Sequence, residues 1–286
     1  MMIQVRDRLA GLTSLAALLM LSAAYVYAAD KFPKKCVPFG AAAVHHPIDT
    51  SCGVEGQPDS DAGRLQNRAK TNYCATGAPQ KVEIADFVTL QKAVDTAGIE
   101  YGNSHRGEHG PPDDRKPLTT LPGTLKEGSV VSMVAFMVDP HYSPKQASQA
   151  GESVNCHRKG HANADIHLNL SDGPVELTKT NKVAELCKTV SAEIIPHYRP
   201  AFLEVDQLVL AQDFPVKITG QLFFDGSHKP CTGSRVKAGD PARISVWEIH
   251  PVYKIEVCSD RDLGACDPND TSKWTTLAKW KEEDFE

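Results

Sequence analysis

Strict alternation of polar and apolar residues over residues 164–170 gives the clearest structural signal in the chain. In this segment, ADIHLNL, three polar residues share one face and three aliphatic residues share the other. A period of two predicts a β-strand with one polar face and one apolar face. Further strands are predicted over residues 129–139, 189–195, 214–225 and 244–258.

Two residues interrupt these predicted strands. Gly220 lies inside the segment FPVKITGQLFFD, and an interior glycine often marks a bulge or a sharp bend. Pro251 predicts a bend in the last strand. We therefore expect a β-rich α+β fold built on a small, curved, partly closed antiparallel barrel. The nearest named architecture is the oligonucleotide/oligosaccharide-binding (OB) barrel, here with flanking helices and a loop-rich N-terminal region.

Helical spacing predicts four helices around this barrel. Ser60 can cap a short helix whose apolar face holds Ala62, Leu65 and Ala69. A longer helix is predicted over residues 84–97, with Gly98 as its stop. Residues 203–212 favour a third helix. The spacing of Trp274, Leu277 and Trp280 predicts a short amphipathic C-terminal helix that packs on the core.

The N-terminal segment is typical of a cleavable secretory signal. Arg6 and Arg8 precede the apolar run LAALLMLSAA, which is shorter than the roughly 20 residues of a membrane span. Small residues near Ala28 suit a signal peptidase. We expect a signal over residues 1–28, a cysteine-containing extension with two short helices over 29–123, a barrel-like core over 124–260 and a helical tail over 261–286. The Pro/Gly-rich residues 101–123 are predicted to be a surface linker.

Cysteine content agrees with export to the periplasm or the cell exterior. An even number of cysteines in an exported chain favours disulfides, and no CxxC motif is present. Short sequence distances suggest the pairs Cys52–Cys74, Cys156–Cys187 and Cys258–Cys266, although eight cysteines allow many connectivities. The eight disulfide candidates are Cys36, Cys52, Cys74, Cys156, Cys187, Cys231, Cys258 and Cys266.

The net charge of the chain limits the kinds of partner that we expect. The chain carries a formal charge of −5 at pH 7, and no basic run follows the signal. Because sequence-independent binding to a polyanion needs clustered Lys and Arg, a nucleic-acid partner is disfavoured. We also expect no transmembrane segment in the mature chain, which leaves an unidentified ligand as the expected partner.

Two tripeptides of the same design carry the candidate chemistry. Asp165 and His167 flank an isoleucine, and so do Glu248 and His250. Residues two apart on a strand share a face, so each tripeptide presents a carboxylate beside an imidazole. If the two strands are neighbours, together with Glu193 they form a cluster that can bind a divalent metal or pair a base with a carboxylate.

Other polar residues at predicted strand ends are secondary candidates. Asp225 and His228 could join the cluster, although DGSH is equally typical of a tight turn. Tyr198 and Arg199 could supply a hydrogen-bond donor and an anion clamp. The competing interpretation is structural, because a histidine beside a carboxylate on a half-buried strand often only satisfies polar groups.

Several phrases resemble a family of exported bacterial proteins without an established activity. They are GESVNCHRKGHANADIHLNL, SAEIIPHYRP, VKITGQLFFDGSH, WEIHPVYKIEVC, YCATGAPQ and WTTLAKW. The resemblance covers most of the chain after the signal. It implies a periplasmic or secreted setting and offers no reaction to transfer.

These observations support three hypotheses about function. The first is a non-catalytic ligand-binding or envelope-associated domain, which the absence of a nucleophile elbow, a phosphate-binding glycine loop and a dinucleotide fingerprint favours. The second is a metal-dependent hydrolase in which His167 and His250 hold an ion together with Asp165, Glu193 or Glu248. A divalent metal is the one cofactor that the sequence suggests. The third is a structural role in which the arm between Cys36 and Cys74 mediates assembly.

Overall fold

A single seven-stranded sheet organises the part of the chain that the structure, a computed structural model, describes: residues 48, 51–197 and 199–280. The chain divides into two compact units, Met1–Lys35 and Cys36–Glu286, and every described residue belongs to the second. The predicted signal segment lies outside the described residues. The strands are β1 (Gln80–Lys81), β2 (Val130–Ser143), β3 (Asp165–Ser171), β4 (Val190–Ile194), β5 (Pro215–Phe224), β6 (Trp247–Cys258) and β7 (Trp274–Thr276).

Five of these strands pair in a ring, in the order β2–β3–β4–β6–β5 and back to β2. Most of the pairs are antiparallel, but β4 and β6 run parallel where Ala192 faces Ile249. The fold is therefore a mixed α+β structure with a ring-like sheet. The prediction of an antiparallel barrel is wrong at this pair, and β1 and β2 outside the ring are also parallel. Parallel pairing is possible here because the chain between β4 and β6 exceeds the dozen residues that such a crossover needs.

The irregularity predicted at Gly220 is confirmed. The register between β5 and β6 shifts on both sides of this residue. A Cβ atom at position 220 would lie 2.6 Å from the Cγ2 atom of Ile249 and 2.6 Å from the carbonyl oxygen of Pro251. Only glycine lets the two strands approach this closely, because any side chain would collide with β6.

The α-helices whose bounds lie within the described ranges are α1 (Asp61–Lys70), α2 (Ile84–Ala97), α3 (Lys182–Leu186) and α4 (Val205–Leu210). The prediction for α2 is confirmed, and Gly98 ends that helix in the left-handed conformation. The hydroxyl of Ser60 accepts a hydrogen bond from the backbone N–H of Gly63 at the start of α1, as predicted. The helix favoured over residues 203–212 is present as α4.

The buried face of α1 differs from the prediction. Leu65 and Ala69 are only partly buried, whereas Gln66, Asn67 and Lys70 are buried. Amphipathic spacing assumes that a helix docks through its apolar residues, but α1 covers polar side chains of the sheet. Its polar face is therefore the one that turns inward.

Two further segments differ from their predicted structure. The C-terminal helix is wrong: Trp274 begins strand β7, which pairs with the edge of β6, although Leu277 and Trp280 do pack on the core. Pairing with β6 satisfies backbone groups that a helix would have bonded internally. Residues 101–123 are more than a surface linker, because Leu118 and Leu121 are buried in the main core.

Three disulfides link described residues: Cys52–Cys156, Cys187–Cys231 and Cys258–Cys266. The last pair confirms its prediction. The pairs Cys52–Cys74 and Cys156–Cys187 are wrong, because the fold brings together cysteines that are 104 and 44 residues apart. Cys74 is also disulfide-bonded, and Cys36 lies outside the described residues. Such bonds are typical of proteins in oxidising compartments. None of the helices in the described ranges combines the length and the hydropathy needed to span a membrane.

Candidate functional site

Strand alternation separates the core from a polar cluster on the opposite face of β3, β4 and β6. His167 of β3 lies opposite Glu193 of β4 in the sheet register. Leu168 and Ala192, which adjoin these two residues in the sequence, and Ile249 of β6 belong to the main hydrophobic core. Because successive side chains point to opposite faces, the polar residues of all three strands are placed together on the other side.

Glu193 is the centre of this polar cluster. Its Oε2 atom lies 2.8 Å from the Nδ1 atom of His250, and its Oε1 atom lies 3.5 Å from the Nε2 atom of His167. The Oε2 atom of Glu248 lies 3.5 Å from the same Nδ1 atom of His250. Both predicted carboxylate–imidazole tripeptides therefore meet at one glutamate.

Two groups of donor atoms in this cluster have a geometry that can hold a metal ion. In the first, the ligand atoms of Glu152, Asp165, His167 and Glu193 all lie within 4.8 Å of one another. The second group shares Glu193 and adds Glu248 and His250. His167 and His250 thus belong to different groups. His167 lies beside the Oε1 atom of Glu193, and His250 lies beside its Oε2 atom.

Two members of the site, Lys70 and Glu152, were missed by the sequence analysis. The Nζ atom of Lys70 donates to the Oε2 atom of Glu152 over 2.8 Å and lies 3.9 Å from the Oε2 atom of Glu193. The Oε1 atom of Glu152 lies 3.3 Å from the Nε2 atom of His167. The polar stripe of α1 was an available signal for Lys70, whereas Glu152 lies in an irregular loop that offers no periodicity.

Arg243 connects this cluster to a second one and was also missed. Its side chain is completely buried, and it donates to the Oδ2 atom of Asp225 over 2.8 Å while its other terminal nitrogen contacts Glu248. The same Oδ2 atom lies 2.7 Å from the Nδ1 atom of His228. Asp225 and His228 therefore join the network through Arg243 and lie outside both groups of possible metal ligands.

Mutual charges set the protonation of the cluster. Burial alone would lower the pKa of His167, but Glu193 and Glu152 outweigh burial and raise the pKa to about 9. Burial, together with Glu152 and Glu193, raises the pKa of Asp165 to about 8. Burial would raise the pKa of Glu193, but His167 and Lys70 lower it to about 2. At neutral pH the cluster therefore contains a charged imidazolium and a protonated aspartic acid.

The remaining groups complete this balance. Burial would lower the pKa of Lys70, but Glu152 and Glu193 raise it above its ordinary value. Burial would raise the pKa of Glu152, but Lys70 and His167 hold it well below its usual range. Burial lowers the pKa of His250. Lys70 and His167 thus supply two positive charges against the two negative charges of Glu152 and Glu193.

A cleft of about 470 Å³ gives solvent access to one side of the cluster. Lys70, Glu152 and His228 line this cleft. The side chains of Glu152 and His167 are 27% and 22% exposed, whereas that of His250 is completely buried. A small ligand can therefore reach the first group of donors from the cleft, while the second group is enclosed.

Arg199 does not contribute as predicted. The guanidinium of Arg199 is buried and donates to the backbone carbonyls of Ala164 and His161. It stabilises the chain leading into β3, so the predicted anion clamp is wrong. Tyr198 lies outside the described residues.

Comparison with known proteins finds no matching family model, no similar curated protein and no similar solved structure.

Proposed function

We propose that this chain is an exported ligand-binding protein and that its ligand is a divalent metal ion held by Glu152, Asp165, His167 and Glu193. The observation that carries the proposal is the convergence of four donor side chains within 4.8 Å. Metal–oxygen and metal–nitrogen bonds are about 2.0–2.4 Å long, so two atoms bound to one ion lie at most about twice that distance apart. The four donors meet this limit.

A buried carboxylate oxygen without a hydrogen bond gives independent support. Among the described residues, the Oδ2 atom of Asp165 makes no hydrogen bond, whereas the carboxylate of Glu193 and the imidazole of His167 already lie in ion pairs with His250 and Glu152. The Asp165 residue is completely buried and Glu193 is 5% exposed. A buried polar atom without a hydrogen bond is costly, and a metal ion beside Asp165 would remove that cost.

The donor set also indicates which ion is favoured. Three carboxylates and one imidazole suit Zn²⁺ or Mn²⁺ better than Ca²⁺ or Mg²⁺, which prefer oxygen ligands alone. With an ion bound, its two charges and that of Lys70 would balance the three carboxylates. Lys70 therefore neutralises the site without having to be a ligand.

Metal titration of the purified chain tests this proposal. We expect calorimetry to show one Zn²⁺ or Mn²⁺ bound per molecule. Glu193→Gln and His167→Gln should each weaken binding by more than about 100-fold, which exceeds the loss typical of replacing a group that only orients a ligand. Thermal unfolding of each variant shows whether it is folded, and the partly exposed His167 is the safer position.

His109→Gln is the matched control for this titration. His109 also lies beside a carboxylate, with its Nδ1 atom 2.9 Å from the Oε2 atom of Glu100, but its side chain is 64% exposed and outside the cluster. Its variant should bind the ion as the wild type does. If the wild type binds neither ion, or if folded Glu193→Gln and His167→Gln bind unchanged, the cluster is only a buried ion-pair network.

A metal-dependent hydrolase is the second candidate function. The observation that favours it is the opening of Lys70 and Glu152 onto the cleft, since a substrate could reach an ion bound there. The version with both His167 and His250 on one ion is less supported, because His250 is buried in the other group. Turnover that a chelator abolishes and added ion restores would favour this candidate over simple binding.

Export and the barrel architecture belong to the same proposal. The disulfides, the predicted signal over residues 1–28 and the resemblance to exported bacterial proteins all support a periplasmic or secreted location. We also propose that the five-stranded ring is an OB-like barrel, since that fold is a partly open five-stranded barrel. Expression with and without residues 1–28, followed by cell fractionation, tests the location.

A further inference from the structure

Asp225 and His228 form a second arrangement in the same cleft, outside the proposed metal ligands. The Nδ1 atom of His228 lies 2.7 Å from the Oδ2 atom of Asp225. We propose that this pair is a hydrolytic site for carboxylic esters of neutral polar alcohols, with His228 as the general base and Lys70 as the group that stabilises the oxyanion. This inference goes beyond the proposed function, because no step in it needs the bound ion.

Asp225 is held so that it can orient His228. Its Oδ2 atom accepts from Arg243 over 2.8 Å, and its Oδ1 atom accepts from the side chain of Gln66 over 3.3 Å and from the backbone N–H of Ser227 over 3.0 Å. Burial would raise the pKa of Asp225, but His228 and Arg243 hold it well below its usual range. The ionised carboxylate therefore favours the tautomer with the proton on Nδ1.

That tautomer leaves the other ring nitrogen of His228 as a base. The side chain is 32% exposed and lines the cleft. None of the hydrogen bonds between described residues engages its Nε2 atom. A fixed carboxylate on Nδ1 and a free Nε2 atom facing a cleft are the arrangement that a general-base histidine needs.

Lys70 can stabilise negative charge that develops on a substrate in this cleft. Gln66 contacts Asp225, and Lys70 follows one turn later on α1, about 6 Å further along the helix axis. The ammonium group has three N–H donors, and its hydrogen bonds to described residues use one of them, on Glu152. Lys70 and His228 line the same cleft, so in the proposed site the remaining N–H donors stabilise an oxyanion formed beside His228.

The lining of the cleft indicates the substrate class. The charges of Lys70 and Glu152, which both line the cleft, are already paired, so the cleft has no excess of positive charge to attract a phosphate. Hydroxyl and amide groups dominate the rest of the lining, which includes Ser60, Ser104, Ser143, Asn67 and Asn103. The cleft follows α1, a ten-residue helix about 15 Å long. An uncharged, hydroxyl-rich ester such as an O-acetylated sugar fits these features.

The reaction consumes one water molecule and needs no other reactant. The Nε2 atom of His228 accepts a proton from water as the water oxygen bonds to the carbonyl carbon of the ester. The carbonyl electron pair moves to oxygen, where Lys70 stabilises the charge. That pair then re-forms the carbonyl, the bond between carbon and the alcohol oxygen breaks, and His228 returns its proton to the leaving oxygen. The products are a carboxylic acid and an alcohol.

Acetate release from 6-O-acetylglucose, measured by titration with base at constant pH, tests the proposal with the full chain after signal removal. We expect turnover by the wild type in the presence of a chelator. His228→Gln should lower kcat by about 100-fold or more, the usual contribution of a general base. Asp225→Asn, which changes a positioning residue, should lower kcat while leaving KM unchanged. His109→Gln should keep full activity, because its histidine–carboxylate pair lies outside this cleft.

Several results would overturn the inference. They are no acetate release by the wild type, full activity in folded His228→Gln, or faster hydrolysis of bis(p-nitrophenyl) phosphate than of the acetyl ester. Dependence on added metal would instead assign turnover to the metal-dependent candidate. Because ion binding is measured separately, failure of this inference leaves the proposed metal site intact, and His228→Gln should bind the ion normally.

Discussion

The Oε2 atom of Glu193 on β4 lies 2.8 Å from the Nδ1 atom of His250 on β6, across the one parallel pairing in the ring. The side chain of Glu193 therefore links β4 to β6 in addition to the pairing of the two strands in the sheet. We predict that Glu193→Gln lowers the free energy of unfolding by about 3–5 kcal/mol without added metal, because it leaves buried Lys70 without part of its countercharge. Urea unfolding measures this loss. Glu176→Gln, at an exposed site, is the control and should leave stability unchanged.

Metal affinity should depend steeply on pH. An ion can bind only after His167 loses the proton that its raised pKa of about 9 retains, and after Asp165 loses the proton retained by its pKa of about 8. Apparent affinity should therefore rise from pH 6 to pH 9 and then level off. Calorimetry in buffers with different protonation enthalpies should show proton release on binding. An affinity that stays constant over this range would contradict the ligand assignment.

Asp225 should stabilise the fold in a pH-dependent way. Its pKa is lowered in the folded state, so its contribution is fully present above the ordinary value of 3.8 and is lost as the pH falls through the folded value. At pH 7, Asp225→Asn should lower the free energy of unfolding by about 3–5 kcal/mol, because Arg243 stays buried without this partner. The difference from the wild type should shrink below pH 3.8. A difference independent of pH would argue against an ionised Asp225.

Gly220→Ala should strain the contact between β5 and β6. The new methyl group would lie 2.6 Å from atoms of Ile249 and Pro251, and Pro251 contributes a backbone oxygen that cannot move aside easily. We expect a loss of about 1–3 kcal/mol or more. Gly173→Ala is the control, because no atom lies within 4 Å of its added methyl. Equal melting temperatures for the two variants would contradict the close approach.

Removal of the Cys52–Cys156 disulfide should weaken both the fold and the metal site. Cys156 ends the short turn that follows Glu152, and Cys52 anchors that turn to the chain before α1. Replacing both cysteines by alanine should cost roughly 2–5 kcal/mol of stability. Metal affinity should fall as well, because Glu152 becomes less restrained. Replacing Cys258 and Cys266, which close a loop far from the site, should leave affinity unchanged.

Local periodicity in the sequence predicted the main strands, the polar face of β3 and helix α2. The alternation around His167 identified β3 and its polar face, and Gly98 marked the end of α2. These features depend on residues that are near one another in the sequence. The convergence of Glu193 and His250 was predicted only on the condition that their strands are neighbours. Strand alternation indicates which face of the sheet a residue lies on, but it does not indicate which strand lies beside it.

The remaining features depend on contacts between distant segments. Lys70 and Glu152 are 82 residues apart, and neither belongs to a motif that identifies a site. Arg243 lies just before β6, and nothing in the surrounding sequence distinguishes it from a surface charge. Its complete burial is evident only in the structure. The disulfide pairs failed for the same reason, because proximity in the sequence does not determine proximity in the fold. The polar inward face of α1 could be recognised only once the surface beneath it was known.

The Cys52–Cys156 link also has a bearing on when the site becomes competent. With free thiols, the Glu152 turn is held by non-covalent contacts alone, such as the ion pair of Glu152 with Lys70 and the hydrogen bond from the backbone N–H of Gln57 to the carbonyl of Ser153. Formation of the disulfide links that turn covalently to the chain before α1. The proposed metal site should therefore bind its ion more tightly in the oxidised protein than in the reduced one.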